Sequence, residues 1–363
     1  MASRAALEHV EAKAYRIPTD APESDGTYEW TQTVLVVVTA RGAGKTGLGY
    51  TYADRATAAV VNDSLAPALR GVDAMRPRAA NAAMLRAIRN LGRAGIAAMA
   101  VSAADVALWD LASRIAGLPL VSMLGAAREA IEAYGSGGFT SYSSERLCDQ
   151  LGGWAAEGMR HVKMKIGRDP AADRARVAMA RKAIGDIELF VDANGAYSAR
   201  QALAQAEHFA EYGVRWFEEP VSSDDLDGLR AVRERAPTAM DIAAGEYGYD
   251  PIYFRRMLEA GAVDVLQADA SRCGGVTGFL AVDALCDARN VALSAHCAPQ
   301  LHAHLACAAG RAVHVEYFHD HARIEKMLFD GALAPSGGLL RPDLGRPGLG
   351  IELKVADAAR FGG

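Results

Sequence analysis

Residues 161–220 contain three short runs, "HVKMKIG" (161–167), "IELFVDANG" (187–195) and "VRWFEEP" (214–220), separated by two alanine-rich segments of helical length. Each run is apolar, has strand character and ends on charged side chains. The same rhythm extends in both directions. "IEAYGS" (131–136) precedes the stretch, and "MDIAAGE" (240–246), "VDVLQAD" (263–269), "VALSAH" (291–296) and "AVHVEY" (312–317) follow it. Eight such runs at a repeat of roughly 25 residues are what an eight-stranded parallel β/α barrel occupies.

Upstream, the pattern differs. An extended run to about Ile17, a polar loop "PTDAPESDGTYEW" (18–30), the apolar "TQTVLVVVTA" (31–40) and a turn at "RGAGKTGLG" (41–49) predict an antiparallel meander. "GAGKTG" invites a phosphate-loop reading, but Thr39 stands where that motif needs glycine and no strand-to-helix switch follows, so it reads as a hairpin turn. From about Ala56 to Leu124 the pattern is helical, with Pro119 and Gly125 as stops. The final stretch, "GGLLRPDLGRPGLGIELKVADAARF" (337–361), is rich in turn residues and is expected to return to the first domain. The expected divisions are an α+β region at 1–125, the barrel at 126–321 and a returning segment at 322–363.

A chain of 363 residues that is 51% hydrophobic is long enough to bury a barrel core and a smaller one beside it. A net charge of −5 with no basic run argues against a nucleic-acid partner. "MASRAALEHVEAKAY" lacks the apolar centre of a signal peptide and "VLVVV" is too short to span a bilayer, so the expected address is the cytoplasm, with no membrane partner. Five cysteines without a CxxC pair read as reduced thiols.

The charged residues fall at the C-terminal ends of the runs, the face on which barrels carry chemistry. They are Lys163 and Lys165, Asp192 and Asn194, Glu218 and Glu219, then Glu246, Asp269, His296 and Glu316. Side chains two apart on a strand share a face, so Lys163 with Lys165, and Asp192 with Asn194, point into one mouth. Asp192, Glu218 and Glu246 come from three successive strands. Like charges so close need a counterion, and oxygen ligands favour magnesium or manganese. Separate salt bridges at strand ends are the alternative. His296 and Asp269, from neighbouring strands, suit a dyad in which the aspartate fixes the imidazole tautomer. His302 and His304 read as structural, while His319 and His321 either reach the mouth or sit in a solvated loop.

Taken together, "KMK", "VDANG", "WFEEP", the "GE" at 245–246, "QADASRCGGVTG" and "SAH" resemble the enolase superfamily, specifically its mandelate racemase subgroup. "ADVALWDLASRIAGLPLVSMLG" resembles a helix of that family's capping domain, and "RPGLGIEL" its C-terminal return. The resemblance implies a modified (β/α)7β TIM-type barrel under an α+β cap. It also implies one Mg2+ per subunit, replaceable by Mn2+, on Asp192, Glu218 and Glu246, with Glu219 left a supporting role. Glu316 is implied to hydrogen-bond the substrate carboxylate, and Ser136 and Asn194 to contact the carboxylate and 2-hydroxyl. A homo-oligomer, dimer to octamer, is implied as well.

An enolate beside a carboxylate needs a cation, and a base must face the α-carbon. Lys165 is the expected base, its pKa lowered by Lys163 and the metal, while Lys163 helps to hold the substrate carboxylate. Arg272 either grips a distal acidic group or pairs with a neighbouring carboxylate. The sixth strand carries Asp269 and no lysine, which argues against the muconate-lactonising branch. The acidic loop, with Asp20, Glu23, Asp25 and Glu29, disfavours mandelate and a second carboxylate. The expected function is dehydration of a sugar acid, an aldonate or related, to a 2-keto-3-deoxy acid. A racemase or epimerase of a 2-hydroxy acid is the alternative, and a silent scaffold the remaining one.

Overall fold

The computed structural model describes residues 5–362. The predicted meander is present, but its first hairpin is longer than its composition suggests. Strands β1 (Leu7–Ser24) and β2 (Glu29–Gly42) pair up to the turn, with an irregularity between Pro18 and Glu23, and β3 (Lys45–Tyr52) completes the sheet. The expected polar loop is therefore strand except at residues 25–28. Asp25 closes that turn by accepting from the amides of Thr27 at 2.6 Å and Tyr28 at 2.7 Å. "GAGKTG" is a two-residue hairpin turn in which Ala43 and Gly44 both have positive φ.

Helix Ile96–Ala116 packs on this sheet and is buried along most of its length. It is long and apolar enough to cross a membrane, yet it lies inside the fold, against β3 and the barrel helix Gly275–Arg289. The approach to β3 is close. A Cβ on Gly49 would lie 2.1 Å from the Ala103 carbonyl oxygen, so only glycine lets the helix backbone seat there.

The barrel strands are β4 (Ile131–Gly137), β5 (His161–Lys165), β6 (Glu188–Asp192), β7 (Val214–Glu218), β8 (Asp241–Ala244), β9 (Val265–Ala268), β10 (Ala292–Ala295) and β11 (Ala312–Phe318). All pair in parallel with their sequence neighbours, and β11 pairs with β4 to close the ring. Alternation along each strand sorts the side chains. Val162, Met164, Leu189, Val191 and Phe217 join the main core outside the barrel, while Tyr134, Phe190 and Trp216 form a separate aromatic cluster. Five of the seven intervening helices begin at side-chain caps: Ser143, Asp169, Ser198, Asp225 and Asp250 each accept from a first-turn amide.

The C-terminal segment first touches the barrel and then the cap. Leu339–Leu340 pairs antiparallel with β4, Gly348 bridges to Pro119, and Gly362 bridges to Tyr15. Helix His319–Leu328 runs across residue 321, where a boundary was expected.

Three buried carboxylates tie the cap to the barrel and its return. Asp105 accepts from Asn81 and Thr277, Asp110 from the amides of Leu48 and Leu349, and Glu325 from the Tyr50 hydroxyl at 2.6 Å and the Gln300 amide at 3.0 Å. Burial pushes their pKa values up to about 7, 6 and 8 respectively, against these hydrogen bonds.

Two outcomes follow for stability. Gly49→Ala should cost about 1–3 kcal/mol or more in urea unfolding, from overpacking against the Ala103 carbonyl. Gly153→Ala, in helix Ser144–Ala156 with nothing within 4 Å of its added Cβ, should be neutral or stabilise by about 0.5–1 kcal/mol. The folded-state pKa of Glu325 is raised, so its contribution is full below about 4.5 and is lost as pH rises through about 8. Glu325→Gln should flatten the decline of stability between about pH 5 and 8, at about 1.4 kcal/mol per unit of pKa shift removed. Denaturant midpoints across that range, compared with wild type, check it.

Candidate active site

The barrel register sets the predicted residues side by side. Lys165 pairs in register with Asp192, and Asp192 with Glu218. Glu246 follows β8, where Gly245 at φ 137° takes a conformation that side chains avoid; a Cβ there would meet the Gln267 carbonyl at 2.1 Å. One carboxylate oxygen from each of Asp192, Glu218 and Glu246 lies within 4.8 Å of the others. The strand ends are backbone-strained. Asn194, Glu219, Cys297 and Ala298 all have positive φ, which is uncommon outside glycine and gathers at functional sites.

His296 Nδ1 lies 2.9 Å from Asp269 Oδ2, and Asp269 Oδ1 is held by the Ser271 amide at 2.7 Å. The other imidazole nitrogen, Nε2, lies 3.2 Å from Glu246 Oε2 and 3.6 Å from Glu316 Oε2. Burial opposes protonation of His296, but these carboxylates and the neighbouring Cys297 outweigh it and hold the pKa well above the usual histidine range. For Asp269, burial is likewise outweighed, by the His296 hydrogen bond and charge together with Arg272, and its pKa falls below the carboxylate range.

Three expectations are corrected by these contacts. Lys165 was expected to have a pKa lowered by Lys163 and a metal; in the protein alone burial and Lys163 do lower it, but Asp192, which bonds its ammonium directly, together with Glu246 and Glu218 outweighs them, so the pKa is raised. Lys163 was expected to be available to a substrate carboxylate; it is fully buried, 2.6 Å from Glu218 and 2.8 Å from Glu316. Ser136, expected at the substrate, is also fully buried and donates to Glu316 Oε1 at 2.6 Å. It positions Glu316, whose second oxygen takes the Cys297 amide at 3.0 Å. Arg272 takes the second of its two readings. Its guanidinium bonds the Glu246 carbonyl at 3.1 Å and sits 3.5 Å from both Glu246 and Asp269 carboxylates.

The acidic loop is likewise not a field of free charge. Asp20 meets Arg146 and His319, Glu29 meets Arg168, Asp25 caps its own turn, and Glu23 accepts from the Trp30 indole at 2.8 Å. Burial and the nearby Asp320 push Glu23 up to about 8. His319 is thus engaged away from the mouth, whereas His321 lines it, stacked on Tyr52 at 3.4 Å. His302 donates from Nδ1 to the Cys297 carbonyl and accepts the Ala270 amide at Nε2, pinning the loops that carry His296 and Asp269. The cavity over the site is about 400 Å³, lined by Lys165, Asn194, Glu246, Arg272 and His296 below and by Trp30 and Tyr52 from the cap.

Some participants were missed by the sequence reading. Trp216 donates to Glu218 Oε2 at 2.9 Å; its place two residues earlier on the same strand was a readable signal. Cys297 Sγ lies 3.3 Å from His296 Nε2, and nothing in the sequence marks it.

The donor set fits a divalent cation. Lys163, Lys165, Arg272 and protonated His296 face six carboxylates, Asp192, Glu218, Glu219, Glu246, Asp269 and Glu316, nearly all of them buried. The uncompensated charge shows on two of them. Burial and then Asp192 push Glu218 up to about 8, and burial and then Glu246 drive Glu219 well above the carboxylate range. Glu246 Oε2 has His296 Nε2 3.2 Å away but accepts no well-aligned hydrogen bond. An oxygen-only triad carrying this excess suits a hard dication.

Residues 11–125 match the model of the mandelate racemase/muconate lactonizing enzyme N-terminal domain, and residues 146–358 that of the enolase C-terminal domain-like family. The chain belongs to the mandelate racemase branch of the enolase superfamily. It is an enzyme of that superfamily. The crystal structure of a mandelate racemase/muconate lactonizing enzyme-like protein from Rubrobacter xylanophilus superposes with a TM-score of 0.97 at 52% identity, covering 98% of this chain and 99% of that one. A 3,6-anhydro-alpha-L-galactonate cycloisomerase from Streptomyces coelicolor is 33% identical over 98% of both chains. An L-talarate/galactarate dehydratase from Salmonella typhimurium, crystallised with Mg and L-lyxarohydroxamate, has a TM-score of 0.91 at 27% identity, covering 99% of this chain and 94% of that one.

Glu246→Gln should weaken Mg2+ binding at least tenfold by calorimetry, whereas Glu219→Gln, outside the triad, should change it less than threefold. Equal losses at the two positions would place the wrong glutamate in the triad.

Proposed function

We propose that the protein removes the proton α to the carboxylate of a sugar acid and expels the 3-hydroxyl, giving a 2-keto-3-deoxy acid. The observation that carries this reading is the placement of two proton-transfer groups around one acidic triad. Lys165 ends β5 and His296 follows β10, three strands apart one way round the ring and five the other, and both line the same cavity. The sugar-acid class is supported by the similar cycloisomerase and dehydratase.

Asp192, Glu218 and Glu246 would hold one Mg2+, which would supply positive charge against the negative charge that develops on the substrate carboxylate. With Asp192 so engaged, the Lys163 charge would bear on the Lys165 ammonium, the direction a base requires. Lys165 takes the C2 proton. The C–H electron pair is first held as an enolate of the carboxylate and then forms the C2–C3 double bond as the C3–O bond breaks. His296, oriented through Nδ1 by Asp269, gives its Nε2 proton to the departing hydroxyl, which leaves as water. The enol then tautomerises to the 2-keto acid. Glu316, fully buried, held ionised by Lys163 and engaged by Ser136 and the Cys297 amide, acts through His296 Nε2 at 3.6 Å rather than on the substrate carboxylate, and Asn194 meets the 2-hydroxyl. The same two-faced arrangement would support inversion at C2, with Lys165 and His296 as bases on opposite faces.

Chelation should abolish turnover and Mg2+ restore it; full activity in excess chelator would end the metal reading. His296→Asn should lower product formation about 10²–10⁴-fold while leaving α-proton exchange with deuterated solvent for the epimer whose proton faces Lys165. Semicarbazide trapping reads the keto product, and NMR the exchange. Inversion without keto product would establish the racemase instead.

A further inference from the structure

Beside the cavity over the triad lies a second, larger cleft of about 650 Å³, open to solvent. The two share Asn194 and Tyr247, so the cleft adjoins the reaction centre. Its barrel wall is built from Glu219, Ser222, Tyr249 and Tyr253, and Thr27 and Ala94 of the cap close it above.

Three features of this wall restrict what it takes. No lysine, arginine or histidine lines it, while Glu219 and Asp224 do, so an anionic group finds no counter-charge there. Arg272 stacks 5.5 Å over the Tyr247 ring but is committed to Glu246 and Asp269. Asn194, Ser222 and Ser223 add uncharged polar residues to the wall, groups that both donate to and accept from hydroxyls. Finally, three tyrosines present apolar ring bodies with polar tips. C–H faces edged by hydroxyl donors match all three features.

We propose that this cleft is a subsite for a neutral, polyhydroxylated tail, so that the substrate carries one carboxylate, over the triad, and an uncharged sugar-like extension past Asn194 and Tyr247. The proposal rests on the sugar-acid reading above. It makes the protein selective for monoacids over diacids through the barrel's own loops, and it assigns Tyr249 and Tyr253 to substrate selection.

The test uses the Mg2+-loaded enzyme with glycerate, hexonates, their aldarates of matching configuration, and an aldobionate bearing a neutral second sugar. Turnover and calorimetric affinity are both measured. Affinity should rise with the neutral tail, and each hexonate should exceed its aldarate at least tenfold in kcat/KM. Ser222→Trp fills the cleft from an exposed position, and Ala94→Trp does so from the cap. Each should raise KM for the long acids at least tenfold, leaving kcat and the glycerate values unchanged. Aldarates used as well as hexonates would overturn the proposal, as would filled variants that treat short and long acids alike. A tail effect lost in Gln32→Trp but not in Ser222→Trp would place the tail under the cap and overturn it too. Turnover without any tail dependence sinks the subsite and leaves the elimination reading standing. Tail-dependent binding, lost in Ser222→Trp, with no turnover of any acid does the reverse. No binding of any acid ends both.

Discussion

The structure is organised around an excess of negative charge held out of water at one end of the barrel. Six carboxylates converge there on four cations, and nearly all of these groups are buried. Such a cluster is unstable unless every charge has a partner. The pairs Lys163 with Glu218 and Glu316, Lys165 with Asp192, and His296 with Asp269 satisfy most of it. What remains is spread over Glu218 and Glu219, and a dication on the triad removes it.

That constraint explains features elsewhere that have no catalytic contact. The aromatic layer of Tyr134, Phe190 and Trp216 lies inside the barrel and keeps water from the charges, and Trp216 also supplies an indole donor to Glu218. Ser136 and the Cys297 amide occupy both oxygens of Glu316. His302, fully buried, fixes the loops after β9 and β10. The left-handed residues at Asn194, Glu219, Cys297 and Ala298 are the backbone cost of turning so many strand ends into one mouth.

The cap has a different task, because it supplies little of the charge. Trp30 and Tyr52 give the cavity an aromatic roof, and the acidic residues of the β1–β2 hairpin are neutralised by Arg146, Arg168, His319 and the Trp30 indole. Free acids in that hairpin therefore cannot repel a second carboxylate; on the proposal above, that task falls to the committed cations below and the cleft past Tyr247.

Much of this was fixed by the sequence alone. Eight apolar runs, seven of them ending in titratable residues, point to a barrel whose chemistry sits at one end, and the period of two puts Lys163 with Lys165 and Asp192 in line with Glu218 through the parallel register. Triad, dyad and dication follow from local order along the strands. Partner choice does not. Which oxygen meets Lys165, whether Ser136 faces a ligand or Glu316, and whether Arg272 is free all depend on side chains that arrive from elements far apart in the chain. The pKa of Lys165 moved against expectation for that reason, because a contact with Asp192 at hydrogen-bond distance outweighs a more distant like charge. Likewise the hairpin acids read as a charged lid until the fold brought arginines and an indole to them. Sequence sets which groups reach the mouth; only tertiary packing decides which of them are already spoken for.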